Sequence, residues 1–81
     1  YEINEAFAAQ FLACNRELKL PMDKVNANGS GIAIGHPVGC TGVRIIVGCL
    51  SELIHRQARY GVASLCVGGG PSMAVVIERL P

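Results

Sequence analysis

The apolar and polar positions of the chain predict two helices. Over residues 42–54, apolar side chains recur at i, i+3, i+4 and i+7, which is the spacing of one face of a helix. A less regular stripe of the same period predicts an earlier helix over residues 4–18, and Pro21 ends that element. Asn4 suits the N-cap of this helix and Glu5 suits its positive end, so one interpretation of Asn4 is a simple cap.

The end of the second helix is marked by charge and by glycine. Glu52 and Arg56 stand one turn apart, in an order that favours an ion pair on the helix surface. Gly61 suits the left-handed residue that follows a last helical turn. The second helix is therefore expected to end shortly before Gly61.

Two short apolar runs, residues 62–67 and 73–77, predict an antiparallel β-hairpin. Their nearly continuous apolar character is typical of central strands that are covered on both faces. Gly68, Gly69 and Gly70 follow the first run, although a two-residue loop is enough for a hairpin. This surplus of glycine favours backbone N–H groups that stay free to face a negative group.

Residues 26–42 place five glycines around one His-Pro dipeptide, His36 and Pro37, directly before the second helix. Glycine at this density suits a backbone of unusual dihedral angles or the close approach of another group. Pro37 moves His36 away from the helical region and suits the first position of a helix, so the imidazole is expected at a loop-to-helix junction. An acid/base role and a packed, hydrogen-bonded role for His36 are both open on this evidence.

Length and composition set the frame for these elements. The chain has 81 residues, 51% of them hydrophobic and 16% charged, with a formal net charge of +1. These values indicate one small domain at most, and they lack the excess of basic residues that is typical of nucleic-acid-binding proteins. The first residues carry no initiator Met, so we expect a C-terminal piece of a longer polypeptide. We find no signal peptide and no apolar run of membrane-spanning length, and we expect a soluble, cytoplasmic protein.

The four cysteines are Cys14, Cys40, Cys49 and Cys66. No two of them approach C-x-x-C spacing, and three lie within apolar stretches, which argues against zinc and against a disulfide framework. Reduced thiols and no metal site are the expectation. Cys66 differs from the other three because the glycine run follows it directly.

Three motifs now stand in order along the chain: Asn4-Glu-Ala-Phe-Ala8, then Gly35-His-Pro37, then Cys66-Val-Gly-Gly-Gly70. Together they resemble the C-terminal catalytic blocks of thiolases, the acetyl-CoA C-acyltransferase family. The resemblance spans essentially the whole chain, residues 1–81. The resemblance implies part of an α/β thiolase-fold C-terminal half: helix, glycine-rich catalytic loop, helix and antiparallel strand pair.

The resemblance also implies roles for individual residues. His36 is similar to the histidine that activates the nucleophilic cysteine and, with a water held by Asn4, forms one oxyanion hole. Cys66 is similar to the second catalytic cysteine, which removes or returns the α-proton. The N–H of Gly68 resembles a donor of the second oxyanion hole. A thiol acts as a base only if its pKa lies near the working pH, and His36 and the free N–H groups are suitable devices for that.

The activity so implied is the reversible Claisen condensation of acyl-CoA thioesters, or the thiolytic cleavage of 3-ketoacyl-CoA. Coenzyme A thioesters are then substrates, with no tightly bound cofactor. The partners implied are the N-terminal half of the same protein, which supplies the nucleophilic cysteine, and further copies in a homodimer or homotetramer. The isolated chain is expected to be inactive, because that nucleophile is absent from it.

Other interpretations fit parts of the sequence. A non-catalytic, thiolase-like lipid-carrier or scaffold domain would keep the fold without turnover, although it has no use for Asn4, His36 and Cys66 together. The β-ketoacyl synthases share the fold but have histidine or asparagine in place of Cys66. A nucleotide-binding module lacks the G-x-G-x-x-G spacing. Ser30-Gly31 and Pro71-Ser72 depart from the pattern of many thiolases and bear on the subgroup.

Overall fold

The computed structural model describes all the residues, Tyr1–Pro81, as an α/β arrangement of one small sheet and its helices. In chain order the elements are β1 (Glu2–Ile3), α1 (Ala8–Leu18), a 3₁₀ turn (Met22–Lys24), α2 (Gly31–Ile34), α3 (Val38–His55), β2 (Tyr60–Cys66) and β3 (Ser72–Glu78). The predicted order of helix, glycine-rich loop, helix and strand pair is confirmed. The sequence did not predict β1 or the single turn α2.

The sheet has three strands in the order β1-β2-β3. β2 and β3 form the predicted antiparallel hairpin, with Tyr60 opposite Glu78 and Cys66 opposite Ser72. β1 pairs with the other edge of β2 in parallel, and Ile3 lies opposite Ser64. The carboxyl ends of β1 and β2 therefore lie at the same edge of the sheet.

Helix α3 packs against β2 and β1 through one narrow row of side chains. The buried residues of this row are spaced four apart: Thr41, Ile45, Cys49 and Leu53. The predicted stripe is thus correct at its centre, but Leu50 and Ile54, which it also included, are exposed. Three strands, one of them two residues long, are too narrow a sheet to cover a wider helix face.

The start of α1 differs from the prediction. The helix begins at Ala8 with Phe7 as its N-cap residue, and the Phe7 N–H donates to Oε1 of Gln10 at 3.4 Å. Asn4 lies directly after β1 and is not a helix cap, so that interpretation of Asn4 is wrong. The Glu5 carboxylate accepts the N–H of Ile32 at the start of α2, at 3.3 Å, and does not serve α1.

Gly61 also differs from its predicted place. The turn after α3 uses Gln57 in the left-handed region, at φ +56°, whereas Gly61 is a buried residue of β2. A Cβ at position 61 would collide with the Cys49 thiol of α3. Gly61 therefore lets the helix approach the strand closely.

The predicted ion pair of Glu52 and Arg56 is confirmed, with Nε of Arg56 and Oε2 of Glu52 2.8 Å apart.

The helix Val38–His55 is long and apolar enough, with a mean hydropathy of 1.4, to meet the length and composition test for a membrane span. The core helix of a soluble protein passes the same test. In this structure α3 lies on the sheet through the row described above, so the test is weak evidence for a membrane span.

Much of the apolar surface of the chain is open. Only 12 of the 81 residues are buried, and a small cluster of Ile3, Phe11 and Val25 joins β1, α1 and the 3₁₀ turn. β3 is an edge strand here, and Met73 and Val76 on it are 69% and 66% exposed. The prediction that both hairpin strands are covered on both faces is therefore not met within this chain.

We expect the isolated chain to associate or to be only marginally stable, because β3 offers an unpaired edge together with apolar side chains. Analytical ultracentrifugation at several concentrations, combined with a thermal melt, measures both properties. A monodisperse monomer that unfolds cooperatively would contradict this expectation.

Gly61→Ala is expected to lower the free energy of unfolding of the full-length protein by about 1–3 kcal/mol, the usual cost of overpacking. The added Cβ meets the Cys49 thiol and lies 3.3 Å from Cδ1 of Leu53. Urea unfolding measures the loss.

Gly48→Ala on α3 is the matched control for this substitution. Its Cβ would meet only the Glu2 carboxyl group, at an ordinary 3.7 Å, and alanine gains up to about 1 kcal/mol of helix propensity over glycine. Cys49→Ala, added to Gly61→Ala, should restore part of the loss because it removes the colliding sulfur. An equal loss with and without that sulfur would show that the close approach is not the cause.

Candidate active site

Asn4 occupies the position where β1 ends, and its side chain is wholly inside the protein. Its backbone N–H donates to the carbonyl oxygen of Ser64 on β2 at 2.9 Å, which continues the parallel ladder by one residue. The residue is 0% exposed. An amide buried to this extent at the carboxyl end of a strand is held in one place, which suits a group that must be positioned for chemistry.

His36 brings its ring to this amide from the glycine-rich loop. The Nε2 atom lies 3.5 Å from Nδ2 of Asn4, and the Nδ1 atom lies 2.7 Å from Oγ1 of Thr41. Thr41 is in the first turn of α3 and is 0% exposed. Both ring nitrogens therefore have partners, one from each side of the loop, and the half-buried imidazole has a defined orientation.

The backbone next to His36 is also fixed. Gly35 has φ +105°, a conformation that favours glycine, and its carbonyl oxygen accepts Nη1 of Arg44 at 2.6 Å. The sequence predicts Pro37 as the first helical residue, whereas in the structure Pro37 is the N-cap residue of α3 and Val38 is the first helical residue. The histidine thus lies at a loop-to-helix junction, as predicted, and α3 holds the residues on both sides of it.

Asn4 keeps one hydrogen-bonding atom without a protein partner. Its Oδ1 is buried and makes no hydrogen bond within the chain. Buried polar atoms of this kind are uncommon, and at a functional site they indicate a group that serves a ligand or a water. Gly31 lies against this amide: a Cβ there would stand 3.2 Å from Oδ1 of Asn4 and 2.6 Å from the carbonyl oxygen of Glu5.

Cys66 ends β2 at the same sheet edge as Asn4. Its thiol is free, half-buried and without a hydrogen bond. Gly68, Gly69 and Gly70 follow with φ of 79°, 67° and 98°, and none of their N–H groups donates a hydrogen bond within the chain. Three unpaired N–H donors therefore stand just beyond a thiol.

The structure joins some of the predicted site residues and leaves others apart. Asn4 and His36 are in contact, while Cys66 and Gly68 lie beyond the same sheet edge without a hydrogen bond to the imidazole. The expected support of the Cys66 thiol by His36 is not a direct hydrogen bond in this structure. Catalytic hydrogen bonds often form only with substrate bound, so this geometry leaves both residues as candidates.

Sequence reasoning missed three residues that shape the site: Thr41, Arg44 and Asn26. Asn26 bonds the backbone of Ile3 twice, accepting its N–H and donating to its carbonyl oxygen, both at 2.8 Å. A signal for Thr41 existed, because a threonine four residues after Pro37 on a predicted helix is placed to bond the Pro37 carbonyl. No pattern in the sequence signals Asn26, since its partner is 23 positions away.

A separate cavity of about 450 Å³ is lined by residues at the starts of β1 and β2 and on α3, and none of the four predicted site residues lines it. Glu2, Cys49 and Gly61 are among its lining residues. Burial raises the pKa of the Glu2 carboxyl, and burial also raises the pKa of the Cys49 thiol. A thiol with a raised pKa is less reactive, so Cys49 fits a packing role.

Other acidic groups and thiols do not gather into a site. The hydrogen bond from Asn28, and to a lesser extent the one from Arg56, lowers the pKa of the Glu52 carboxyl. These three residues form a cluster on the exposed surface. All four cysteines are free, and no group of three or more His, Cys, Asp or Glu side chains is arranged to hold a metal ion.

Comparison with known proteins places this geometry in context. The family model described as "Thiolase, C-terminal domain" matches residues 1–79. The chain is 54% identical over 79 residues to a probable acetyl-CoA acyltransferase of Staphylococcus epidermidis. The matched residues cover 98% of this chain and 20% of that protein. The chain therefore spans about a fifth of the length of the curated relatives it matches.

Solved structures agree with the sequence comparison. The crystal structure of the Bacillus anthracis acetyl-CoA acetyltransferase is 59% identical, with a TM-score of 0.94, over 98% of this chain and 20% of that one. The crystal structure of human mitochondrial 3-ketoacyl-CoA thiolase is 48% identical, with the same TM-score of 0.94 and the same shares of the two chains.

Gly31→Ala is expected to displace the buried Asn4 amide and to lower the free energy of unfolding by about 1–3 kcal/mol. The new Cβ meets the Glu5 carbonyl oxygen, a backbone atom that cannot rotate away. Urea unfolding of the full-length protein measures the loss, and the imidazole ¹⁵N resonances of His36 should shift as Asn4 moves. Gly48→Ala again serves as the control. Unchanged stability and unchanged His36 resonances would show that this close approach is not needed.

Proposed function

The chain belongs to the thiolase family, as a C-terminal domain, and from this premise we propose that it supplies part of the active site of an acyl-CoA acyltransferase. The observation that carries the proposal is the contact between the wholly buried Asn4 amide and the His36 imidazole. The reaction is the reversible Claisen condensation of acyl-CoA thioesters, or the thiolytic cleavage of a 3-ketoacyl-CoA. Coenzyme A thioesters are the proposed substrates.

His36 is the proposed base that activates a nucleophilic cysteine. With Nδ1 bonded to Thr41, the Nε2 atom is the nitrogen that faces Asn4 and can exchange a proton. Charge that develops on a thioester oxygen must meet donors already in place. A protonated Nε2, together with a water on the Asn4 amide, is suited to that task, and the unpartnered Oδ1 of Asn4 supports a role in holding the water.

Cys66 is the proposed acid/base at the α-carbon of the second acyl-CoA. Its thiol is half-buried and ends a strand, so its position is fixed by the ladder with β3. The Gly68 N–H is the proposed donor of the second oxyanion hole, which serves the acyl-enzyme thioester. The free N–H groups at residues 68–70 support this assignment, because a turn closed by its own hydrogen bonds would have no donors left.

The rest of the machinery is proposed to lie outside this chain. The nucleophilic cysteine would come from an N-terminal part of the same protein, in keeping with the fifth of the relatives' length spanned here. Apolar side chains of β3 and α1 are exposed in this chain. This supports the proposal that the N-terminal part of the protein, or a second copy in a homodimer or homotetramer, covers them. The non-catalytic scaffold gains no support, since Asn4 and His36 are in contact.

The proposal predicts different failures for two variants of the full-length protein. Cys66→Ala should lower condensation by roughly 10²–10⁴-fold, the span for loss of a positioned acid or base, and should leave acylation of the nucleophile much less affected. His36→Ala should impair acylation as well, by at least about 10²-fold from the oxyanion contribution alone. Rapid-quench measurement of labelled acyl-enzyme, beside steady-state turnover, separates the two half-reactions.

Cys14→Ala is the matched control, because Cys14 is also a half-buried free thiol but lies on α1, away from the sheet edge. It should leave both half-reactions near wild type. Thermal melts check that each variant is folded. Near-normal condensation by a folded Cys66→Ala protein would overturn the proposed role of that thiol.

A further inference from the structure

The ring nitrogen of His36 that faces away from Asn4 has a partner on α3. Its Nδ1 atom lies 2.7 Å from Oγ1 of Thr41, which is the shortest hydrogen bond made by the ring. The same Oγ1 lies 3.1 Å from the carbonyl oxygen of Pro37, one turn earlier on α3. Thr41 is fully buried, so its hydroxyl has no access to solvent and these two contacts account for its bonding.

The direction of these bonds follows from the number of protons. A hydroxyl group has one proton to donate and two lone pairs with which to accept. The carbonyl oxygen of Pro37 can only accept, so the Thr41 proton points toward it, in the usual bond of a helical threonine to the carbonyl four residues back. A lone pair of Oγ1 then faces the ring, and Nδ1 must carry the ring proton.

We propose that Thr41 is a positioning residue that holds His36 in the Nδ1–H tautomer and leaves the lone pair of Nε2 toward Asn4. This role rests on the proposed function for its catalytic meaning. A base must present a lone pair at the atom that meets the proton, and the hydrogen bond at the other nitrogen decides which atom that is. Thr41 makes that choice through an uncharged oxygen, with no carboxylate in contact with the ring.

Arg44 completes the support from the same helix. Its Nη1 holds the Gly35 carbonyl oxygen at 2.6 Å, which fixes the backbone that carries the ring. Thr41 and Arg44 are one turn apart on α3, so the helix fixes the peptide before His36 and the ring nitrogen of His36 together. A ring held at both points keeps the tautomer and the direction of Nε2.

The experiment compares Thr41→Val with Thr41→Ser in the full-length protein. Valine keeps the shape of threonine without the hydroxyl, while serine keeps the hydroxyl. ¹⁵N NMR of labelled histidine, assigned with His36→Gln, reads the tautomer. Wild type and Thr41→Ser should show a protonated Nδ1 and an unprotonated Nε2. Thr41→Val should lose this pattern, and its acylation rate should fall roughly 10–100-fold, the span for loss of such a supporting bond.

Two results would overturn the proposal: a wild-type ring protonated at Nε2 with Nδ1 bare, or a Thr41→Val ring that keeps the Nδ1–H tautomer. If Thr41→Val does not fold, the wild-type spectrum still decides the first of these. The spectrum is independent of turnover. An inactive full-length protein with the Nδ1–H ring would refute the proposed function and support the assignment to Thr41.

Discussion

The position of the buried Asn4 amide depends on the two-residue strand β1, which is hydrogen-bonded along both of its edges. Strand β1 pairs with β2 on one edge, and on the other edge the Asn26 side chain bonds both the N–H and the carbonyl group of Ile3. A strand of two residues makes too few hydrogen bonds to hold itself in place. The Asn26 side-chain amide takes the place of a fourth strand beside β1, and Asn26 adopts a left-handed backbone, at φ +48°, to present it.

Elements whose signal is local were predicted well. The centre of α3 follows from the helical spacing of its apolar residues, and the β2–β3 hairpin follows from two short apolar runs on either side of a glycine turn. Elements that depend on distant partners were not. β1 has no period at two residues, and without it Asn4 reads as a helix cap, because asparagine suits that position. Gly61 was misplaced for the same reason: its neighbour Cys49 lies on another element.

The site shows the same division. Asn4, His36, Cys66 and Gly68 are predicted from motifs, and their roles are those of the proposed function. Thr41 and Arg44 act on His36 and Gly35 from the helix that follows, and their roles depend on distances of 2.7 Å and 2.6 Å that no spacing rule contains. The density of loop glycines predicts a functional site, and the structure gives two of them a physical reason: Gly31 lies close to the Glu5 backbone, and Gly35 has a positive φ.

The contact of Asn4 with His36 joins residues 32 positions apart, and β1 reaches its partner strand only near the end of the chain. Closing such long loops costs chain entropy before any contact compensates for it, so these pairings form late compared with α3 or the hairpin. A partly folded chain can therefore hold His36 at the start of α3 and Cys66 on β2 while the Asn4 amide is not yet in place. Any ligand that needs all three binds only the completed fold, and by mass action it draws the late-folding strand into place.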